Sequence, residues 1–386
     1  MDIIILGGGI IGLTIANLLA ENADLQIALI EQRAPQTTWN EYEYDLRCSA
    51  ITRTSQQVFM HLGVWQEIIQ QRVGVYEKIV VWEQPHKARM DFNAAAIAQP
   101  NLGHIVENRV IARSLYTKLL QTANVRIINS AITEIESSTE FNRVYIDDYY
   151  LDCKLLIGAD GRNSWLRNKL NIPTYAWGHE HSAIVAVVKT QLPHSNTAWQ
   201  RFMSTGPIAF LPLDHANLCS IVWASSNDNV AHLMQLTPAE FSERLAKDFN
   251  FMLGCVVLHG ARANFPVSML HASKYTQGRN VLIGDAVHAL HPLAGQGLNL
   301  GIVDALGLAE IIKEARMQHK DIGDFAVLRK YERARKAYNM GMLALITGLQ
   351  SLFAMEHIST LRNQSLQMLN SFNWCKNKMM RFALGV

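Results

Sequence analysis

Ile3-Ile4-Ile5-Leu6-Gly7-Gly8-Gly9-Ile10-Ile11-Gly12 stands at the start of the chain, and an apolar stretch over 13–20 and a second apolar run over 26–30, ending at Glu31, follow it. The first four residues read as a buried strand, 13–20 as a helix and 26–30 as the next strand. Strand, helix and strand in that order make a βαβ unit, so the fold class is α/β. Within Gly7-x-Gly9-x-x-Gly12 the first glycine permits the tight turn, the second lets backbone approach a pyrophosphate, and the third allows close helix–strand packing. The helix then presents its unpaired N–H groups and positive dipole end to the phosphates. Glu31 lies 19 residues beyond Gly12, where a carboxylate can hold a ribose hydroxyl pair. The same carboxylate would repel a 2′-phosphate. A glycine-rich turn without a ligand is the alternative, and the strand–turn–helix setting with the acid at its offset argues against it.

The rest of the composition narrows the class. At roughly 150 residues per domain, 386 residues correspond to two or three domains. With 49% apolar and 18% charged residues the chain is neither disordered nor of low complexity. Lys plus Arg number 35 against 33 Asp plus Glu, a net charge of +2, so no basic excess points to nucleic acid. Cys48, Cys153, Cys219, Cys255 and Cys375 are scattered with no CxxC pair, which indicates neither a zinc ribbon nor a redox dithiol and fits a reducing cytoplasm. No positively charged region or cleavage site stands before Ile3, so no signal peptide is expected. The longest uncharged stretch, 337–355, is interrupted by Asn339, Gly341, Thr347, Gly348, Gln350 and Ser351, so no membrane span is expected.

Two textures interleave along the chain. Residues 46–71 look helical, 110–121 read as an amphipathic helix, and 125–129, 143–146 and 155–159 as strands. From Pro173 the texture changes to strand-like pieces at 183–190, 197–203, 208–213 and 218–224, with a helix over 237–249. Thr237 is its N-cap and Glu240 completes a capping box. A buried strand returns at 280–283, followed by a Gly-rich turn and a long helix, and the chain is largely helical from Phe325. The organisation expected is a nucleotide-binding domain from 1–72, 105–172 and 275–330, an inserted antiparallel-sheet substrate domain from 73–104 and 173–274, and a helical segment 331–386.

Two further motifs carry chemistry. Gly158-Ala159-Asp160-Gly161 ends an apolar strand and precedes Ser164 and Arg167. Alone, an Asp-Gly at a strand end is more often a simple turn. The other is Gly284-Asp285-Ala286-Val287-His288-Ala289-Leu290-His291-Pro292-Leu293-Ala294-Gly295-Gln296-Gly297-Leu298-Asn299-Leu300-Gly301. A strand delivers Asp285, a carboxylate suited to a ribitol or ribose hydroxyl. The loop 292–297 has few large side chains, so a flat ring can lie against backbone. A helix starting near Gly297 would aim its positive end at that ring and stabilise the negative charge of a reduced flavin.

Together these motifs resemble the single-component flavoprotein aromatic hydroxylases, the group of p-hydroxybenzoate hydroxylase. The stretch 285–301 looks most similar to the ubiquinone-biosynthesis hydroxylases within it. Asp45-x-Arg47 with Ala50-Ile51, Ser55 and Leu62-Gly63-x-Trp65 matches their second segment. Val106-Glu107-Asn108, Ala198-Trp199-x-x-Phe202, Gly206-Pro207-x-Ala209-Phe210-Leu211-Pro212-Leu213, Leu361-Arg362-Asn363 and Phe382-Ala383-Leu384-Gly385 look closest to the branch acting on a 3-methyl-6-methoxy-benzoquinol. The resemblance covers nearly the whole chain, and Val287, where the family usually has a second alanine, is a small departure.

The resemblance implies a Rossmann-type FAD-binding domain with the inserted sheet, FAD as cofactor and NAD(P)H as a transient co-substrate. It implies hydroxylation of a polyprenylated benzoquinol with O2. Gly7, Gly9, Gly12 and Glu31 would bind the adenosine half of FAD. Arg47 would sit by the ribityl or pyrophosphate with Asn108 nearby, Asp160 would serve both FAD and the pyridine nucleotide, and Asp285 would take the ribityl chain. Pro292, Gly295, Gln296, Gly297 and Asn299 would line the isoalloxazine. No catalytic acid or base is identified. The alternatives are a hydroxylase of another ring carbon or of a soluble aromatic, a reductase of isoprenoid double bonds, and a non-catalytic flavin-binding subunit among other ubiquinone-biosynthesis proteins.

Weaker signals read two ways. His288 and His291 have the spacing of metal ligands, but no third ligand stands near and loop hydrogen bonding accounts for them, so no metal is expected. Trp199, Phe202, Phe210 and Trp223 face either a ring pocket or a packed sheet face. After Glu356 there is no acidic residue, and Arg362, Lys376, Lys378 and Arg381 are interleaved with aromatic and aliphatic residues. That tail reads equally as a membrane-surface helix, placing a cytoplasmic protein at the inner membrane, and as a helix packed on the body.

Overall fold

The computed structural model describes residues 1–40, 42–83, 89–289, 296–354, 377 and 381. Ile3–Leu6 forms the centre of a six-stranded sheet, parallel to Ile27–Ile30 on one side and Leu155–Gly158 on the other. Val125–Ile128 extends it beyond Ile27–Ile30, and Asn280–Leu282 then Thr276–Gln277 extend it beyond Leu155–Gly158. Four of these strands are fully buried, and three of them, Ile3–Leu6, Ile27–Ile30 and Leu155–Gly158, read as near-continuous hydrophobic runs, as strands buried on both faces do. The Ile10–Ala20 and Asn108–Leu120 helices pack on each other, and Gln296–Met317 packs against the first. A small antiparallel meander, Ile132–Ser137, Asn142–Ile146 and Tyr149–Cys153, carries the chain across to Leu155–Gly158.

The eight-stranded sheet runs Arg89–Asn93, Lys78–Glu83, Thr197–Phe202, Ile208–Pro212, Leu218–Ser226, Thr174–Thr190, Val256–Ala272 and His288–Ala289. One face packs on the Asn227–Gln235 and Pro238–Asp248 helices through Ile184, Ile221, Trp223, Phe210, Phe241 and Phe249. Trp223 and Phe210 are therefore core residues of a packed sheet face. The capping box at Thr237 and Glu240 is present as expected. A three-stranded sheet, Cys48–Ile51, Gly103–Glu107 and Val73–Tyr76, lies between the two large ones and spans the sequence positions of the expected boundaries near 72 and 104.

Two readings change. Residues 46–71 are not one helix: Cys48–Ile51 is a strand, and only Arg53–His61 and Trp65–Gln70 are helical. Pairing with Gly103–Glu107 overrides the local pattern there. The 17-residue strand Val256–Ala272 carries no strand-like pattern over its first half, because a bulge at His259–Ala261 opposite Val187 breaks the alternation. At the carboxyl end, Phe325–Ala354 is helical as expected, and no helix of the described residues is long and apolar enough to cross a membrane.

Candidate active site

The glycine turn after Ile3–Leu6 is built by close contact. Gly7 has φ +100°, and a Cβ there would lie 2.5 Å from the Ala159 carbonyl oxygen. A Cβ on Gly12 would run into the Gly7 carbonyl oxygen. Gly9 differs: it is the N-cap of Ile10–Ala20, no side chain caps that helix, and a Cβ on Gly9 would meet nothing within 4 Å. An uncapped helix end beside open space offers backbone N–H donors to an anion. Glu31 Oε2 accepts from the Gly8 N–H at 2.6 Å and Oε1 from the Arg33 N–H at 3.2 Å, so the carboxylate is fixed at the rim of the turn.

Asp285 stands three residues past the Asn280–Leu282 strand that pairs with Leu155–Gly158. Its neighbours are pinned. Ile283 N–H donates to Gly158, the Arg167 guanidinium donates to the Ala286 carbonyl at 3.0 Å, and the Ala272 N–H donates to Val287 at 2.7 Å. The Asp285 side chain itself is solvent-accessible and has no hydrogen-bond partner among the described residues. It nonetheless sits deep among protein atoms, so burial pushes its carboxyl up, while His288, Arg47 and Arg162 pull it down. Accessible yet surrounded is the signature of a group at the wall of a crevice.

Arg47 reaches the same crevice. Its backbone is held by Asp45 Oδ1 at 3.0 Å and by the Asn108 N–H at 2.8 Å, while its side chain is exposed. Asn108 Oδ1 accepts from Ser49 Oγ at 2.6 Å, so it ties the Arg47 segment to the start of a helix. Glu107, buried, accepts from the Asp45 N–H at 2.7 Å and pairs with Arg109 at 2.7 Å and Arg72 at 3.0 Å. Asp160 accepts from the Leu166 N–H at 3.0 Å, and its other oxygen is buried without a partner among the described residues. Arg167 also donates to the Arg162 carbonyl at 2.8 Å, so it joins the Asp160 and Asp285 segments. Sequence reasoning quoted Glu107 and Arg167 only as letters of a motif; their long-range partners give them their roles.

Gln296 and Gly297 begin the Gln296–Met317 helix, and a Cβ on Gly297 would meet nothing within 4 Å. Asn299 is buried. Its amide donates to the Ala50 carbonyl at 2.7 Å and its oxygen accepts from the Thr52 N–H at 3.0 Å and Ser55 Oγ at 2.7 Å. Its side chain thus faces the 50–55 segment. Pro292, Gly295 and His291 lie outside the described residues. His288 is buried and bound to Asp304 at 2.6 Å.

These residues fit FAD. An open, uncapped helix end suits the pyrophosphate, an acid suits the adenosine ribose, and an unpartnered carboxylate near two arginines suits the polyhydroxyl linker. The family described as FAD binding domain matches residues 1–345. Among curated proteins, the chain is 32% identical to the mitochondrial ubiquinone biosynthesis monooxygenase COQ6 of Drosophila melanogaster, over 100% of this chain and 90% of that one. It is 31% identical to the 3-demethoxyubiquinol 3-hydroxylase of Escherichia coli, over 100% of this chain and 98% of the other. The chain belongs to the ubiquinone-biosynthesis FAD hydroxylase family. As a member it is an FAD-dependent monooxygenase. Among solved structures, the p-nitrophenol 4-monooxygenase PnpA of Pseudomonas putida shares the fold with a TM-score of 0.79 at 17% identity, over 98% of this chain and 96% of that one. PqsL of P. aeruginosa shares it at 0.78 and 19%, over 95% and 99%.

Proposed function

We propose that this family member hydroxylates the ring of a polyprenylated benzoquinol in ubiquinone biosynthesis, using NAD(P)H and O2. The observation that carries the reading is the end-to-end match to the 3-demethoxyubiquinol 3-hydroxylase, combined with the convergence of Arg47, Arg162 and Asp285 on one crevice. Bound FAD, once reduced by NAD(P)H, supplies the activated oxygen. The chain's own residues bind and orient. The Gly9 turn and the helix end behind it hold the pyrophosphate, Glu31 the ribose, and Asp285 the ribityl chain. Arg47 and Arg162 neutralise phosphate charge.

The ring wall is the face of the eight-stranded sheet opposite its two helices. There Ala183, Ala224, Val267 and Val222 form a small apolar cluster. An apolar cluster of this kind helps exclude water from a ring packed against it. The antiparallel pairing of His288–Ala289 with Leu270–His271 joins the Asp285 segment to the edge of this sheet, which supports its facing the flavin. The segments 1–72, 105–172 and 275–330 then serve FAD, and 73–104 and 173–274 serve the ring.

The tail is the proposed contact with the inner membrane of a cytoplasmic protein, where a polyprenyl substrate resides. Asn377 donates to the Ala96 carbonyl at 3.1 Å and Arg381 to the Ile97 carbonyl at 3.4 Å, so that contact would lie beside the ring-binding sheet. Deleting the chain from Leu361 should abolish liposome binding; a folded truncated protein with unchanged binding contradicts it. The lipid quinones of cells lacking the gene test the reaction. A demethoxy precursor should accumulate. An earlier prenylphenol moves the chemistry to another carbon, and an unchanged profile with no second hydroxylase sinks the pathway.

A further inference from the structure

Behind Asp285 lies a buried polar network. Asp304, in the Gln296–Met317 helix, is fully buried and takes four donors. Its Oδ2 accepts from the Gly284 N–H at 3.2 Å and from His288 Nε2 at 2.6 Å. Its Oδ1 accepts from Arg335 Nε at 2.7 Å and Asn339 Nδ2 at 3.1 Å. Arg335 also donates to Asn339 Oδ1 at 3.1 Å. Asn339 donates to the Tyr275 hydroxyl at 3.3 Å, which meets His271 at 3.0 Å. Burial alone would raise the Asp304 carboxyl, but His288 and Arg335 outweigh it and hold it below the ordinary range, so it is a carboxylate. The hydrogen of His288 is then on Nε2, facing that carboxylate.

The network brackets one exposed group. Asp304 holds the residue before Asp285 through backbone and the third residue after it through the imidazole. Gly284 adopts φ +60° against Ile11, so the backbone there is already committed. Arg335 and Asn339 come from Phe325–Ala354, outside the nucleotide-binding sheet. The same helix fastens the adjoining chain: Tyr331 donates to the Leu282 carbonyl at 3.2 Å, Glu332 accepts from the Thr276 N–H at 3.1 Å, and Lys336 donates to the Ser273 carbonyl at 2.6 Å. A carboxylate with four donors costs far more to disturb than a neutral packing contact, because any shift leaves a buried charge unsatisfied.

We propose that Asp304, clamped by Arg335 and Asn339, is a positioning residue that fixes the Gly284–His288 backbone so that Asp285 meets the flavin's ribityl chain. This rests on the reading of Asp285 as a flavin ligand. The C-terminal helix is thereby part of the flavin site without touching the flavin.

The test is a double-mutant cycle on the full chain, stripped of FAD and titrated with FAD, with thermal unfolding of each apoprotein alongside. D285A should weaken FAD binding on the order of tenfold, the worth of a hydrogen bond to a charged group. D304N should weaken it to a similar extent. The double variant should bind within about twofold of D285A alone, because Asp304 acts through Asp285. Full additivity overturns the proposal, since it marks a general structural effect. A D304N protein that binds FAD normally while D285A does not overturns the lock alone. Unchanged binding by D285A overturns the ribityl assignment and the lock with it. If D304N does not fold, D304N/R335M removes both opposite charges together, and it takes the place of D304N in the cycle with the same expectation.

Discussion

Two alanine substitutions three residues apart should fail in opposite ways. At Gly12 an added methyl overlaps the Gly7 carbonyl oxygen, which is backbone and cannot rotate away. Overpacking of this kind costs about 1–3 kcal/mol. The helix propensity of Ala over Gly returns at most about 1 kcal/mol. Gly12→Ala should therefore lower the stability of the apoprotein itself. At Gly9 the backbone has φ −70° and ψ 178°, which any residue adopts, and the methyl meets nothing within 4 Å. Alanine is a poorer N-cap than glycine, an effect of order 1 kcal/mol or less, and restricting the unfolded chain returns about 0.4–1 kcal/mol. Gly9→Ala should leave apoprotein stability near wild type. The space it fills is the space assigned to the pyrophosphate, so FAD affinity should fall at least about tenfold, or 1.4 kcal/mol. Urea unfolding of the apoproteins and titration with FAD separate the two effects. A Gly9→Ala protein that binds FAD as tightly as wild type would refute the assignment of that open space.

Arg167→Met removes donors to the Ala286 and Arg162 carbonyls and should weaken FAD binding severalfold or more, read by the same titration. Thr237→Ala opens the capping box far from the crevice and should cost about 1 kcal/mol in urea unfolding with no change in FAD affinity. His104 and His271 are buried neutral, both pulled down to about 4 by burial first, with Arg53 adding at His104 and His288 and Lys336 at His271. Their folded values lie below the unfolded one, so the stability they contribute is complete above pH about 6.5 and is lost as pH falls toward 4, at most about 3 kcal/mol each. His104→Gln should flatten the stability profile between pH 6.5 and 4; an unaltered slope contradicts this.

The first βαβ unit was legible because its glycines admit few steric solutions and its strands are buried on both faces. The helix starting at Gln296 was legible for the same reason, being set by small residues on either side. Cys48–Ile51 was not, since four residues of mixed character take their structure from Gly103–Glu107, more than fifty residues away. The first half of Val256–Ala272 escaped because its bulge and exposed polar residues erase the alternation. Within the site, the residues proposed to meet the flavin are the ones that spacing marked. Those that hold them, Glu107, Arg167, Asp304 and Arg335, did not, because each acts across long sequence separations. Asn299 was read as a ring-lining residue, and the structure turns its side chain toward Ala50, Thr52 and Ser55.

The central claim is that this chain inserts an oxygen atom into a benzoquinol ring. The most direct measurement supplies the FAD-loaded protein with NADPH, a 3-demethoxyubiquinol and oxygen-18 gas, and follows the quinol by mass spectrometry. The account predicts a product carrying one labelled oxygen atom on the ring. NADPH consumption that yields only hydrogen peroxide, or a product altered without label, would contradict it.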